Sequence, residues 1–270
     1  MTEIYLAEAA ARCLAEADPA RKAELTRQTA DAWAQGLLRT GAPAGWQPLA
    51  EPGRGERPRL VHPRDLPRRG LADAAGRAAL VHAVAHIELN AVNLAWDAVQ
   101  RFVELPPPFQ AEWVGVAAEE AYHFGLMSGR LEALGYGYGD FDAHDGLWAM
   151  ARRTAADPLE RMALVPRVLE ARGLDVTPAM IERFRAAGDE DTAARLGIIL
   201  RDEVGHVAIG SRWFRHLCVE RDLDPGTTYL DLLHRHLNGQ VRCPLNRKDR
   251  LRAGFDEAEL DALEALCAGG

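Results

Sequence analysis

Apolar residues recur at spacings of three and four over several long stretches of the chain, and no stretch shows the alternation or the β-branched clustering of a sheet. The first helical stretch, Leu71 to Phe102, carries Val81, Val84, Ala85, Ala91, Val92 and Ala95 on one stripe, and Pro106-Pro107-Pro108 ends it. The second runs from Phe109 to Leu134 and stops at Gly135, the head of a Gly-Tyr-Gly-Tyr-Gly-Asp tract. A third region covers Gly146 to Arg172. Within it Asp157-Pro158-Leu159-Glu160 has the cap, first-turn proline and acidic third position of a helix start, Pro166 predicts a bend, and Gly173 predicts the end. A short helix near 177–187 precedes the last long one, Asp189 to Leu217. The pattern predicts an all-α protein built on four long helices.

The flanks read differently. Residues 3–38 predict a hairpin of two short helices parted at Asp18-Pro19, with Asp18 as cap. Between 40 and 70, Pro43, Pro48, Pro52, Pro58, Pro63 and Pro67 break any period, so this segment is expected to wrap a surface in extended form. It is also basic, with six arginines against three acids from Glu51 to Arg69. Beyond Val219 the pattern is shorter and mixed, ending in a helical Asp256–Cys267. The organisation expected is an accessory hairpin and linker (1–70), a four-helix bundle (71–219) and a C-terminal extension (220–270).

Composition narrows the classes. Of 270 residues 48% are hydrophobic and 27% charged, and no stretch reaches the roughly 20 apolar residues of a membrane span. The N-terminus carries Glu3, Glu8 and Glu16 and lacks a basic start followed by an apolar run, so no signal peptide and a cytoplasmic location are expected. A net charge of -8 argues against a generic nucleic-acid binder. Cys13, Cys218, Cys243 and Cys267 are dispersed, with no C-x-x-C pair, so neither a disulfide framework nor a zinc site is expected.

Charged and imidazole groups interrupt the apolar stripes. Glu88 falls on the stripe of the first long helix, and Glu120 and His123 on that of the second; Glu203 and His206 repeat this Glu-x-x-His unit on the last. A spacing of three places a carboxylate and an imidazole one turn apart on one face, where they can hold the same metal ion. Glu170 lies 33 residues before Glu203, much as Glu88 lies 32 before Glu120, so the chain reads as two copies of one hairpin. Four carboxylates and two histidines suffice for two divalent ions, whose charge would relieve the repulsion of four buried acids. An acid precedes each unit, Glu119 and Asp202, which either accepts the free ring N–H of a ligand histidine on the opposite helix or stands solvated on its helix flank.

These six residues resemble the ligand pattern of the ferritin-like superfamily of di-iron and di-manganese carboxylate proteins, over residues 71–219. More narrowly, Leu164–Pro178 (LVPRVLEARGLDVTP), Arg201–Gly210 (RDEVGHVAIG) and the proline-rich approach look like an uncharacterised bacterial ferritin-like family akin to the tRNA-modifying hydroxylases of that superfamily. The resemblance implies a ferritin-like bundle with two metal ions, iron first and manganese or a mixed pair next. The resemblance implies no substrate; the redox chemistry of two such ions, with accessory segments that storage would not need, leads to the expectation of an oxygen-dependent oxidoreductase acting with dioxygen on a small organic molecule, with an external electron donor, in a monomer or small homo-oligomer. Two alternatives use the same ligands: metal handling (ferroxidase, storage or peroxide scavenging) and hydroxylation of a tRNA.

Other candidates carry less. His82 and His86 project roughly 120° and 160° from Glu88, which places them on the outer face of their helix. His216, His234 and His236 read as structural or solvated, and Tyr122 as packing rather than redox. Gly205 and Gly210 each cost a helix about 1 kcal/mol, which points to close packing or to room for oxygen and substrate. Arg235, Arg242, Arg247, Lys248, Arg250 and Arg252 form a basic run whose expected state is solvated or acid-paired, with an anion site as the alternative.

Overall fold

A computed structural model describes residues 4–67 and 70–268; Glu3, Arg68 and Arg69, used above, lie outside them. The protein is mostly helical. Its strands are β1 (Ile4–Tyr5) and β2 (Leu38–Arg39), one short parallel pair. The chain divides into two compact units, Met1–Arg152 and Arg153–Gly270, and the boundary falls within the 71–219 stretch.

In the first unit, α1 (Leu6–Ala15) and α2 (Pro19–Ala34) form the expected hairpin, and the Asp18 carboxylate accepts from Arg21 N at 2.8 Å. They pack against α3 (Ala74–Arg101) and α4 (Pro107–Ala133), which lie along each other as the main helix pair of the unit. Asp73 caps α3 through Gly76 N; a Cβ at Gly76 would meet Gly70 O at 2.3 Å, so the close start needs glycine. From Ala78 to Gln100 nearly every α3 side chain is buried, with α4 and α1 packed along it and residues of the 46–54 stretch bonded to it. That wrap is tied down by the Gln100 side chain, which bonds Leu49 N and Leu49 O, by Trp46 Nε1 donating to Gln100 O, and by an Arg54–Asp145 ion pair. Among the described residues α3 is the one helix long and apolar enough to cross a membrane, but 83% of that stretch is buried in the fold, as in a core helix. A short helix α5 (Gly146–Arg153) ends the unit.

In the second unit, α6 (Pro158–Leu164) continues through a π-helical turn (Val165–Glu170) into α7 (Ala171–Ala186) without a break. Gly173 therefore does not end the helix, and the separate short helix expected near 177–187 is the end of α7. Pro178 lies inside it. A proline lacks the N–H that would bond the carbonyl four residues back, and here that carbonyl, Leu174 O, accepts from Asn246 Nδ2 at 3.0 Å instead. Helix α8 (Glu190–Glu220), capped by Asp189, packs along α7, and α9 (Pro225–Leu237), α10 (Arg247–Arg252) and α11 (Glu257–Ala268) complete the unit. Gly210 of α8 lies against Pro166: a Cβ there would come within 2.2 Å of Pro166 Cγ. The bend at Pro166 is thus a widened turn with a glycine seat.

The cysteine expectation needs correcting. Cys243 and Cys267 form a disulfide with Cα atoms 6.1 Å apart, whereas Cys13 and Cys218 are buried free thiols. Sequence spacing gave no hint, since the turn before α10 brings Cys243 back to α11.

Candidate metal centre

In the first unit the α3–α4 pairing brings Glu88, Glu120 and His123 together. His123 Nδ1 lies 3.3 Å from a Glu88 carboxylate oxygen and 3.4 Å from one of Glu120. Each residue offers one ligand atom, these atoms lie within 4.8 Å of one another, and all three side chains are buried. Small residues permit the approach: Ala85, Ala91, Val92 and Ala95 on α3 and Val116, Ala117 and Ala121 on α4 are all buried. Burial opposes a charge on His123, but hydrogen bonds and Coulomb attraction from Glu120 and Glu88 outweigh it and push the imidazole up to about 11. The pocket between these carboxylates therefore favours a cation.

In the second unit Glu203 and His206 sit one turn apart on α8, His206 Nδ1 3.8 Å from a Glu203 oxygen. Both are buried, as is Glu170 at the last position of the π turn. That turn supplies what a regular helix would not, because the extra residue per turn rotates the positions after it, and such turns recur at functional sites. Glu119 is exposed on α4, and Asp202 is half-buried and paired with Arg201 at 2.8 Å.

His82 and His86 are buried, which corrects their placement on an outer face. The Gly-Tyr-Gly-Tyr-Gly-Asp tract folds back over α3: Gly139 N donates to His82 Nε2 at 3.0 Å, Tyr138 stacks on His82, and the Tyr138 hydroxyl lies 2.8 Å from His86 Nδ1. Gly139 adopts φ +106, open to glycine alone, so the tract could have signalled this cover. Tyr122 is half exposed, outside the core. His216 pairs with Glu220, and His236 with Glu160. Most of the basic run is acid-paired: Arg235 with Glu160, Arg247 with Glu257, Asp261 and Glu264, Arg250 with Asp175, and Arg252 with Asp249.

Sequence reasoning missed Lys22, Arg54, Asn90 and Asn93, which line a cavity of about 310 Å³ in the first unit. They lie off the acidic stripe, and only the wrap's arginines hinted at them.

No solved structure matches the chain. An uncharacterized protein of Haemophilus influenzae is 48% identical over 213 residues, covering 76% of this chain and 74% of its own. The model of a family described as a protein of unknown function, DUF455, matches residues 15–261. With Glu88, Glu120, His123, Glu170, Glu203 and His206 all inside that match, the chain belongs to the DUF455 family.

Proposed function

We propose that the chain is an oxygen-dependent oxidoreductase in which Glu88, Glu120 and His123, with Glu170, Glu203 and His206, hold two divalent metal ions within a ferritin-like four-helix bundle. The metal is iron, or iron with manganese, and the substrate is a small organic molecule that becomes hydroxylated or otherwise oxidised. The observation that carries this reading is the buried convergence of Glu88, Glu120 and His123, with ligand atoms within 4.8 Å. Carboxylate oxygens with an imidazole nitrogen suit these metals. The same Glu and Glu-x-x-His set recurs buried in the second unit.

When bound, the metal pair supplies the electrons that reduce dioxygen. The chain does the rest. Glu88 and Glu120 offset the ionic charge inside the fold, and their buried aliphatic surroundings keep water out. His123 is held between them from α4, so its ring needs little reorganisation to ligate. Glu119 and Asp202 are assigned the orienting of ligand histidines across the bundle. The enzyme works in the cytoplasm with an external electron donor.

Metal content per chain on anaerobically iron-loaded protein, followed by absorption after a pulse of oxygen, tests the reading. About two irons and a transient charge-transfer band are expected. One redox-silent ion, or none, would overturn it, and so would unchanged occupancy in both Glu88→Ala and Glu203→Ala.

A further inference from the structure

Nothing in the metal reading uses the cavity of about 310 Å³ in the first unit, which lies between the start of α2, the 53–60 stretch of the wrap and α3. At about 100° per residue, His86, Asn90 and Asn93 project roughly 140–160° from Glu88, so the cavity is on the opposite side of α3 from the acidic cluster. Its lining holds Lys22, Arg54, Arg57 and Arg59 against the single acid Glu56. Arg59 and Arg54 have partners in Asp142 and Asp145. Arg57 has no ion pair among the described residues.

Lys22 is the unusual member. It is only 1% exposed, and its ammonium is held by Leu14 O, Gly53 O and Asn93 Oδ1, all neutral acceptors. Its hydrogen bonds all go to neutral groups, so the positive charge of the lining comes chiefly from Arg54, Arg57 and Arg59. Asn93, 3% exposed, gives its oxygen to Lys22; its amide nitrogen has no partner among the described residues, although the residue lines the cavity. Pro19, Pro58, Leu60, Leu89 and the Tyr138 ring form an apolar part of the wall, and His86 and Asn90, bonded to each other, a neutral polar part. A volume near 310 Å³ exceeds what a bare inorganic anion fills, given roughly 30 Å³ for one water.

We propose that this cavity binds a small organic anion, a phosphate monoester or carboxylate with an apolar body, its charged end held by Arg57, Arg54 and the Asn93 amide beside Lys22, its body against Leu89, Pro58 and Tyr138. Burial first, and the nearby Arg54 second, push the Lys22 ammonium down to about 7, and an anion bound beside it would favour its charged form.

Calorimetric titration of the full chain with phenyl phosphate, benzoate and phenol, at fixed ionic strength, tests this. Phenyl phosphate or benzoate should saturate with one site per chain, and phenol should bind at least ten-fold more weakly; whichever anion is tighter identifies the charged group. Arg57→Glu, at an exposed position where folding should survive, should weaken the anion at least ten-fold with an unchanged melting curve. No saturation by either anion, equal binding of phenol, or undiminished binding by Arg57→Glu would overturn the proposal. Metal occupancy does not enter the readout, so failure here leaves the metal reading standing, and the reverse.

Discussion

His123 Nδ1 sits 3.3 Å from the Glu88 carboxylate, although one residue stands on α4 and the other on α3. Two helices thus aim a base and an acid at the same buried point, and removing either should be felt in metal content and in stability together. Ligand that binds only the folded chain stabilises it by about 2.7 kcal/mol at a hundred-fold excess over Kd, or roughly 5–10 °C for a chain of this size. Wild-type protein loaded with iron should therefore melt at least 5 °C above chelator-treated protein. In Glu88→Ala and His123→Ala the difference should shrink below about 2 °C. An equal response to chelator in wild type and both variants would place the metal elsewhere.

How much of this was readable depends on the range of the forces involved. The hairpin at Asp18-Pro19, the start at Asp157 and the stop at Gly135 are local, written in caps and prolines, and the structure has them. Glu88, Glu120 and His123 were readable as a group because helical spacing fixes their faces. The burial of His82 and His86 was not, since it depends on a loop some fifty residues away folding back over α3. Helix α7 continues through Pro178 because a distant side chain, Asn246, replaces the missing donor. The pairing of Cys243 with Cys267 is equally non-local.

Lys22 gives the protein a pH dependence of definite sign. Its ammonium is held near 7 in the folded chain, mainly by burial, against about 10.5 when unfolded. Between those values the unfolded chain binds the extra proton, so stability rises with pH, by up to about 1.4 kcal/mol per unit. Cys13, pushed up to about 11 chiefly by burial, acts oppositely above pH 9. The window is therefore pH 7–9. Urea unfolding should show wild type gaining on the order of 2 kcal/mol there relative to Lys22→Met; parallel curves would mean that Lys22 keeps an ordinary affinity for its proton.

Asn246 should matter more than its surface loop suggests. Its side chain serves the Leu174 carbonyl stranded by Pro178 and also bonds Asp249, while its backbone N–H reaches Asp175. Asn246→Leu leaves a helix carbonyl without a donor, at a cost of about 1–3 kcal/mol. In the double variant with Pro178→Ala the helix supplies its own donor to Leu174 O. The penalty of Asn246→Leu should then fall by at least 1 kcal/mol in a denaturation double-mutant cycle. Additive effects would show that the two residues are not coupled.

The two glycines of α8 should answer an alanine substitution with opposite signs. At Gly205, between Glu203 and His206, an added Cβ meets nothing within 4 Å, so Gly205→Ala gains helix propensity worth up to about 1 kcal/mol. At Gly210 the same methyl would stand 2.2 Å from Pro166 Cγ and 2.3 Å from its Cβ. A proline ring cannot swing aside, so α8 must shift from the π turn, with an overpacking cost of about 1–3 kcal/mol against the same propensity gain. Because that turn ends at Glu170, Gly210→Ala should also lower metal stoichiometry, whereas Gly205→Ala should leave it unchanged. Chemical denaturation and metal analysis on the same two preparations decide the matter. A Gly210→Ala protein as stable and as metal-rich as Gly205→Ala would mean that the Pro166 contact does not position Glu170.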